Sequence, residues 1–293
     1  MSDTSDSVEA DAQVAEALRR YWGYDSLRPF QRAAIQAGLD RRDSLVVLPT
    51  GGGKSLCYQI PAVIAGRLDV VVSPLISLMK DQVDALRECG YPAAAIHSHL
   101  TPAERCEIHD GLKNSAYRLL FISPERLSHE AFTAFLQRLD VRAFAIDEAH
   151  CISHWGHDFR PEYRQLARLK ERFPRASVHA YTATATERVR EDIVEQLRLD
   201  RAQVLVGDFD RPNLVYRVLP KVDQAQQVLE ILRRHVGEAA IVYCLSRKET
   251  EGLADTYRCC AVYWSKMVRN TRSALAVAAS ASRPPASSSA TNT

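Results

Sequence analysis

Short apolar runs alternate with amphipathic stretches along most of this chain. Residues 44–48, 69–73, 93–97, 118–123, 142–147 and 178–182 are runs of strand length, rich in Val, Ile, Leu, Phe and Ala. Their apolar residues tend to follow one another rather than fill every second position, which predicts strands buried on both faces. Between them, residues 54–65, 75–88, 102–113, 161–172 and 186–197 read as helices. Strands spaced by helices predict an α/β domain, a parallel sheet with helices on both faces. Such sheets bind ligands beyond the carboxyl ends of their strands. A helix is predicted over residues 12–21, and residues 1–10, polar and acidic, are predicted to be disordered.

A second unit is predicted to begin near Asp208, with strands at 214–219 and 239–244 and helices at 224–235 and 247–257. Two strands and two helices are too few to close an α/β core. The expected organisation is therefore a disordered segment 1–10, an α/β domain 11–207, an incomplete second domain 208–257 and a divergent tail 258–293. No acidic residue follows Asp255, and residues 273–293 are mostly Ala and Ser with Pro284-Pro285. This composition predicts a disordered tail. It also predicts that the chain leaves its fold's natural sequence near Tyr257, as a truncated or frameshifted product would.

The remaining composition narrows the classes. The 293 residues carry a net charge of only +2, so any nucleic-acid contact must come from local patches. The seven cysteines, at 57, 89, 106, 151, 244, 259 and 260, form no Cys-x-x-Cys pair, and no zinc is expected. The opening Met1-Ser2-Asp3-Thr4-Ser5-Asp6 is unlike a secretory signal, and no apolar run has the length of a membrane span. A cytoplasmic protein without a membrane partner is expected.

Two segments carry phosphate chemistry. Leu45-Val46-Val47-Leu48-Pro49-Thr50-Gly51-Gly52-Gly53-Lys54-Ser55 reads as strand, glycine loop and helix start. Thr50, Gly51, Gly52 and Gly53 let successive backbone N–H groups turn towards an anion, and the helix adds its positive end. Lys54 is then expected on the β- and γ-phosphates of ATP, and the Ser55 hydroxyl on Mg²⁺. The strict P-loop pattern has glycine where this chain has Leu48. Downstream, the apolar run Ala143-Phe144-Ala145-Ile146 ends in Asp147-Glu148-Ala149-His150. Asp147 is expected to hold the Mg²⁺ and Glu148 to polarise the attacking water. Lys54, Asp147 and Glu148 are thus the expected catalytic set.

With these motifs the chain resembles the RecQ-type DNA helicases of helicase superfamily two, in which the acidic pair opens a DEAH box. Tyr24-Asp25-Ser26-Leu27-Arg28-Pro29-Phe30-Gln31 is similar to the family's adenine-reading segment. The resemblance implies that Tyr24 and Arg28 sandwich the base and that Gln31 reads its edge. The stretch Val72 to Gln82 resembles a motif on the DNA backbone, and Ser123-Pro124-Glu125-Arg126-Leu127 a strand-tracking segment. Thr182-Ala183-Thr184 resembles the motif linking hydrolysis to movement, and Ile241 to Arg247 the first motif of a second motor domain. The most specific match is Cys151 to Tyr163, which resembles the aromatic-rich loop that senses single-stranded DNA. There His154, Trp155, His157, Asp158, Phe159 and Arg160 are implied to contact DNA or relay that contact to the acidic pair, with Thr182 and Thr184 coupling it to movement.

The resemblance covers roughly residues 21–257. It implies a RecA-like P-loop NTPase domain followed by the start of a second one, with ATP and Mg²⁺ bound. It also implies single-stranded or partly duplex DNA as partner, a bacterial-type, nucleoid-associated location, and 3′-to-5′ translocation in recombination and repair. The second domain's inserting arginine motif finds no match, and related nucleotide enzymes owe about 10³–10⁵ in rate to such a group. The alternative expectation is a truncated motor that binds nucleotide, with DNA as a second candidate ligand, and has little ATPase and no unwinding activity.

Overall fold

Two-faced burial decides how the apolar runs assemble. The computed structural model describes residues 3–156, 158–209, 214–235, 238, 240–260, 266–270 and 274–278. The runs become β1 (Ser44–Val47), β2 (Leu68–Val72), β3 (Ala93–Ile96), β4 (Leu119–Ile122), β5 (Val141–Ile146) and β6 (Ser177–Thr182). An edge strand, β7 (Gln203–Val206), joins them in a seven-stranded sheet of order β3-β4-β2-β5-β6-β1-β7. Every pairing in this sheet is parallel.

Alternate strand residues feed two cores. Leu45, Val47, Val70, Val72, Leu120 and Ile122 enter one. That face is covered by α5 (Pro102–Lys113), α6 (Glu130–Arg138), α7 (Leu169–Arg172) and α8 (Glu187–Gln196). Val46, Val71, Leu119, Phe121 and Tyr181 point the other way, under α2 (Gln31–Leu39), α3 (Lys54–Ile64) and α4 (Ile76–Glu88). With both faces covered, alternation vanishes from the sequence and each strand reads as one apolar run. Helix α5 begins on a capping box, in which Thr101 and Glu104 satisfy each other's backbone N–H groups. Residues 161–172 form a 3₁₀ segment, Pro161–Arg168, before the single turn of α7.

The N-terminal expectation is corrected. Residues 1–10 are not disordered throughout, because α1 (Asp3–Trp22) is a continuous helix. Its Val14 and Leu18 pack on Ile35, Leu56 and Ile60. The acidic residues that suggested disorder sit near a helix N-terminus, where negative charge is favourable. Among the described residues no helix is long and apolar enough to cross a membrane.

The chain divides into compact units Met1–Arg211 and Pro212–Thr293, close to the boundary expected near Asp208. In the second unit, α9 (Gln224–Arg234), β8 (Ala240–Tyr243) and α10 (Arg247–Cys260) match predicted elements. Their core is small, built on Leu232, Cys244, Leu253 and Ala254. Residues 214–219 form no strand; Val218 there is 98% exposed, with no neighbouring strand to pair it. The tail differs from expectation as well. It contributes β9 (Lys266–Asn270) and β10 (Ala274–Ala278), which pair antiparallel with each other, and β10 pairs antiparallel with β8. Composition hid these strands, since short runs such as Leu275-Ala276-Val277 are too brief to stand out among Ala and Ser.

Two buried polar groups fasten the first sheet at the other end from the glycine loop. Asp43 accepts from Lys170 at 2.7 Å, from the Val178 N–H at 2.9 Å and from the Asp200 N–H at 3.2 Å. His179 lies between Ser44 Oγ (2.9 Å from Nδ1) and Ser177 Oγ (2.8 Å from Nε2). Burial pushes its pKa down from 6.5 to about 4, with the Asp43 charge opposing the shift. A histidine depressed in this way contributes stability that is complete above its unfolded pKa and is lost as the pH falls towards the folded value. The stability margin of the native chain over His179→Gln, from urea midpoints, should therefore narrow between about pH 7.5 and about pH 5. A margin constant with pH would contradict this account.

Candidate functional site

The glycine loop leaves β1 at the carboxyl edge of the sheet. Gly51 and Gly53 take left-handed backbone angles, φ 77° and 80°, which side chains with a Cβ rarely adopt. Gly52 is needed for space: a Cβ there would lie 2.8 Å from the Pro49 carbonyl oxygen, which also accepts the Gly52 N–H at 2.8 Å. The loop runs into α3, whose N-cap, Gly53, offers no capping side chain. The first amides of the helix are thus open to an anion. Lys54 Nζ donates to the Leu48 carbonyl at 3.0 Å, folded back over its own loop.

The segment before α2 holds this loop. Arg28 donates to the Gly51 carbonyl. Gln31 Nε2 donates to the Gly53 carbonyl at 3.0 Å, and its Oε1 accepts the Arg28 N–H at 2.7 Å. Gln31 is buried, and one donor and one acceptor site on its amide are left over. Tyr24, 55% exposed, stands at the rim. Tyr24, Arg28 and Gln31 line one cleft of about 790 Å³ with Thr50, Gly51, Gly53, Lys54, Ser55, Asp147 and Glu148. Gly52 does not line it; its part is to make the turn.

The acidic pair arrives from β5, two strands away. Asp147 donates its N–H to the Val72 carbonyl at 2.9 Å, and its own carbonyl accepts from the Tyr163 hydroxyl at 2.9 Å. Its carboxylate accepts the Glu148 N–H at 3.0 Å. Burial raises the Asp147 pKa to about 6; the Glu148 charge adds to the rise and Lys54 opposes it. Glu148 adopts a left-handed conformation, φ 48°, uncommon for a residue with a side chain. Glu148 Oε2 lies 3.3 Å from His150 Nδ1, which is 2.9 Å from Thr182 Oγ1. Thr182 donates on to the Thr184 carbonyl at 3.1 Å. A polar chain thus runs from the acidic pair at the end of β5 to the end of β6.

Gln82 is a residue that sequence reasoning did not single out for the cleft. It lines the cleft together with Asp147 and accepts from the Tyr58 hydroxyl at 2.8 Å. Its helical position in α4 follows from the sequence, but the face it presents depends on how α4 packs against α3.

The stretch from Cys151 to Tyr163 forms the adjacent loop. Ala149–Ile152 is a buried 3₁₀ turn, so the loop starts from a fixed base. Trp155 is 59% exposed, with the Arg188 guanidinium 3.2 Å from its ring centroid. His154 stacks on Phe159 with centroids 3.8 Å apart. Arg188, from α8, was not anticipated, because nothing local in its helix marks it as a partner of Trp155. Asp158 accepts from Arg160 at 2.9 Å, and the Arg160 N–H donates to the Cys151 carbonyl at 2.8 Å. Arg160 also reaches the Pro74 carbonyl, at 3.5 Å. His157 lies outside the described residues.

The DEAD/DEAH box helicase family profile matches residues 28–193. The chain is 44% identical over 243 residues to the ATP-dependent DNA helicase RecQ of Pasteurella multocida (strain Pm70), covering 83% of this chain and 38% of that protein. It is 45% identical over 236 residues to the RecQ of Bacillus subtilis (strain 168), covering 80% of this chain and 40% of that protein. The chain thus spans about two fifths of the length of these curated relatives. Among solved structures, the DUF1998 helicase MrfA bound to DNA and AMPPNP superposes with a TM-score of 0.63 at 21% identity, over 82% of this chain and 37% of that one. A hypothetical ATP-dependent RNA helicase from Sulfolobus tokodaii gives 0.52 at 18% identity, over 67% of this chain and 57% of that one. These two likenesses establish the fold alone. From the family profile and the identities, the chain belongs to the DEAD/DEAH box helicases, an enzymatic family, and is homologous to its RecQ-type members.

Proposed function

We propose that this chain carries the ATP-binding motor domain of a RecQ-type helicase, one that hydrolyses ATP and couples hydrolysis to 3′-to-5′ movement along single-stranded DNA in recombination and repair. The observation that carries this reading is the shared cleft, lined by Lys54, Ser55, Asp147 and Glu148 together with Tyr24 and Arg28. The backbone amides of residues 51–55 bind the phosphates. Lys54 exchanges the Leu48 carbonyl for a phosphate oxygen. Tyr24 and Arg28 hold the base, and Gln31 keeps the loop in register while offering its remaining donor.

The donor set fits magnesium. The Ser55 hydroxyl and Asp147 carboxylate are hard oxygen ligands lining the same cleft, and a Cβ at Gly52 or Gly53 would disturb the turn itself by meeting the Pro49 carbonyl or the Gln31 amide. Bound there, magnesium would neutralise charge on the β- and γ-phosphates. Glu148 orients the attacking water, steadied by His150. On the track side, Trp155 and Phe159 offer ring faces to bases, a contact worth roughly 1–3 kcal/mol each. Asp158 and Arg160 pass that contact to Cys151, next to His150, and Thr182 and Thr184 pass it to the end of β6.

A second reading keeps binding and drops turnover. Its support is the second unit, whose three-stranded sheet among the described residues is antiparallel rather than the parallel sheet of a motor domain. On this reading the chain binds nucleotide, its second unit does not act as a motor domain, and these residues alone do not unwind DNA.

A DNA-stimulated ATPase assay separates the two. Turnover of about one per second or faster, abolished by Lys54→Ala, supports the motor. Binding by calorimetry with negligible hydrolysis supports the second reading. Replacing Trp155 with Ala should cut DNA stimulation at least about tenfold and leave nucleotide affinity nearly unchanged. Equal loss of both would assign the loop a purely structural role.

A further inference from the structure

Outside the nucleotide cleft, one cluster combines three metal-ligating side chains at coordination spacing. His150 Nε2 lies 3.8 Å from Cys151 Sγ, and Cys151 Sγ lies 3.8 Å from Asp158 Oδ2. The three ligand atoms all fall within 4.8 Å of one another. In a tetrahedral zinc site, sulfur and nitrogen ligands are about 3.5 Å apart, given the usual bond lengths. The two distances to sulfur need a contraction of a few tenths of an ångström, and the His150–Asp158 pair one of up to about 1.4 Å, to complete the set.

Hydrogen bonding fixes the imidazole in the form such an ion needs. The single Thr182 hydroxyl proton points at the Thr184 carbonyl, 3.1 Å away. Thr182 Oγ1 is therefore an acceptor towards His150 Nδ1, and Glu148 Oε2, 3.3 Å from the same nitrogen, is another. With these two acceptors facing Nδ1 the ring proton is assigned there, and Nε2, 3.8 Å from Cys151 Sγ, carries the lone pair. Metal-binding histidines are oriented in this way by a partner on the other nitrogen. His150 and Cys151 belong to the buried turn Ala149–Ile152, so two of the three ligands are preplaced. The Asp158 side chain is 48% exposed and opens the cluster to solvent.

We infer that His150, Cys151 and Asp158 form a binding site for a thiophilic divalent cation of the zinc class. On binding, the S–H bond of Cys151 breaks and a sulfur–metal bond forms, with the proton released to solvent. A water fills the fourth position. Asp158 then divides its oxygens between the ion and Arg160, which pins the aromatic loop to the turn behind the acidic pair. The pattern of adjacent His and Cys with Asp seven residues beyond the Cys contains no Cys-x-x-Cys, so the absence of that motif did not exclude it.

Cobalt(II) titration of the full chain, without nucleotide or DNA, tests this independently of the ATPase reading. The expected result is a thiolate-to-cobalt charge-transfer band saturating at one ion per chain, displaced by zinc and retained in Cys89→Ser and Cys106→Ser. It should vanish in Cys151→Ser. Asp158→Asn, at a half-exposed side chain, should weaken apparent affinity at least about tenfold. No band with cobalt in excess, or the same band in Cys151→Ser, overturns the proposal. If Cys151→Ser fails to fold, Asp158→Asn decides, and unchanged affinity there overturns it.

Discussion

The geometry of the site depends on backbone hydrogen bonding between parallel strands. β1, β6 and β5 lie side by side, with Val47 opposite Thr182 and Ile146 opposite Ala180. Neighbouring strands are about 4.8 Å apart, so the strand ends carrying the glycine loop and the acidic pair are held about 10 Å from each other, with Thr182 between. Both faces of the sheet are buried, and a one-residue slip in any of these strands would exchange core residues between two packed faces. The register is therefore strongly determined. Chemistry placed on the loops inherits that precision, although the loops themselves have no regular structure.

Burial at this edge has an electrostatic cost that the site uses. Asp147 is buried and lies beside Glu148, and its pKa rises to about 6 as a result. A cation at its side would relieve both effects at once. Among the described residues no basic group forms an ion pair with Asp147; Lys54 opposes the shift and is bonded to the Leu48 carbonyl. The pair is held in place by the Tyr163 hydroxyl on the Asp147 carbonyl and by His150, which lies between Glu148 and Thr182.

The sequence disclosed what is local. Six of the seven strands of the first sheet were legible because two-sided burial concentrates apolar residues into short runs. β7 was not, since a half-exposed edge strand such as Gln203–Val206 carries a weaker pattern. Lys54 and the Asp147-Glu148 pair were legible because a loop and a strand end each keep their chemistry within a few residues. Gln82, Arg188 and the bond from Tyr163 to Asp147 were not, because each depends on which faces of separate elements meet. Polar composition misled at residues 3–10, where a helix extends under docking contacts made further along α1. At residues 214–219 an apolar pattern misled in the opposite sense, because a strand needs a partner as well as a pattern.

The central claim is that Mg²⁺-ATP is held between the glycine loop and the acidic pair. A crystal structure with Mg²⁺ and a non-hydrolysable ATP analogue tests it most directly. The account predicts phosphates on the amides of residues 51–55 and the metal between Ser55 Oγ and the Asp147 carboxylate. An analogue bound elsewhere, or the cleft empty at saturating analogue, would contradict it.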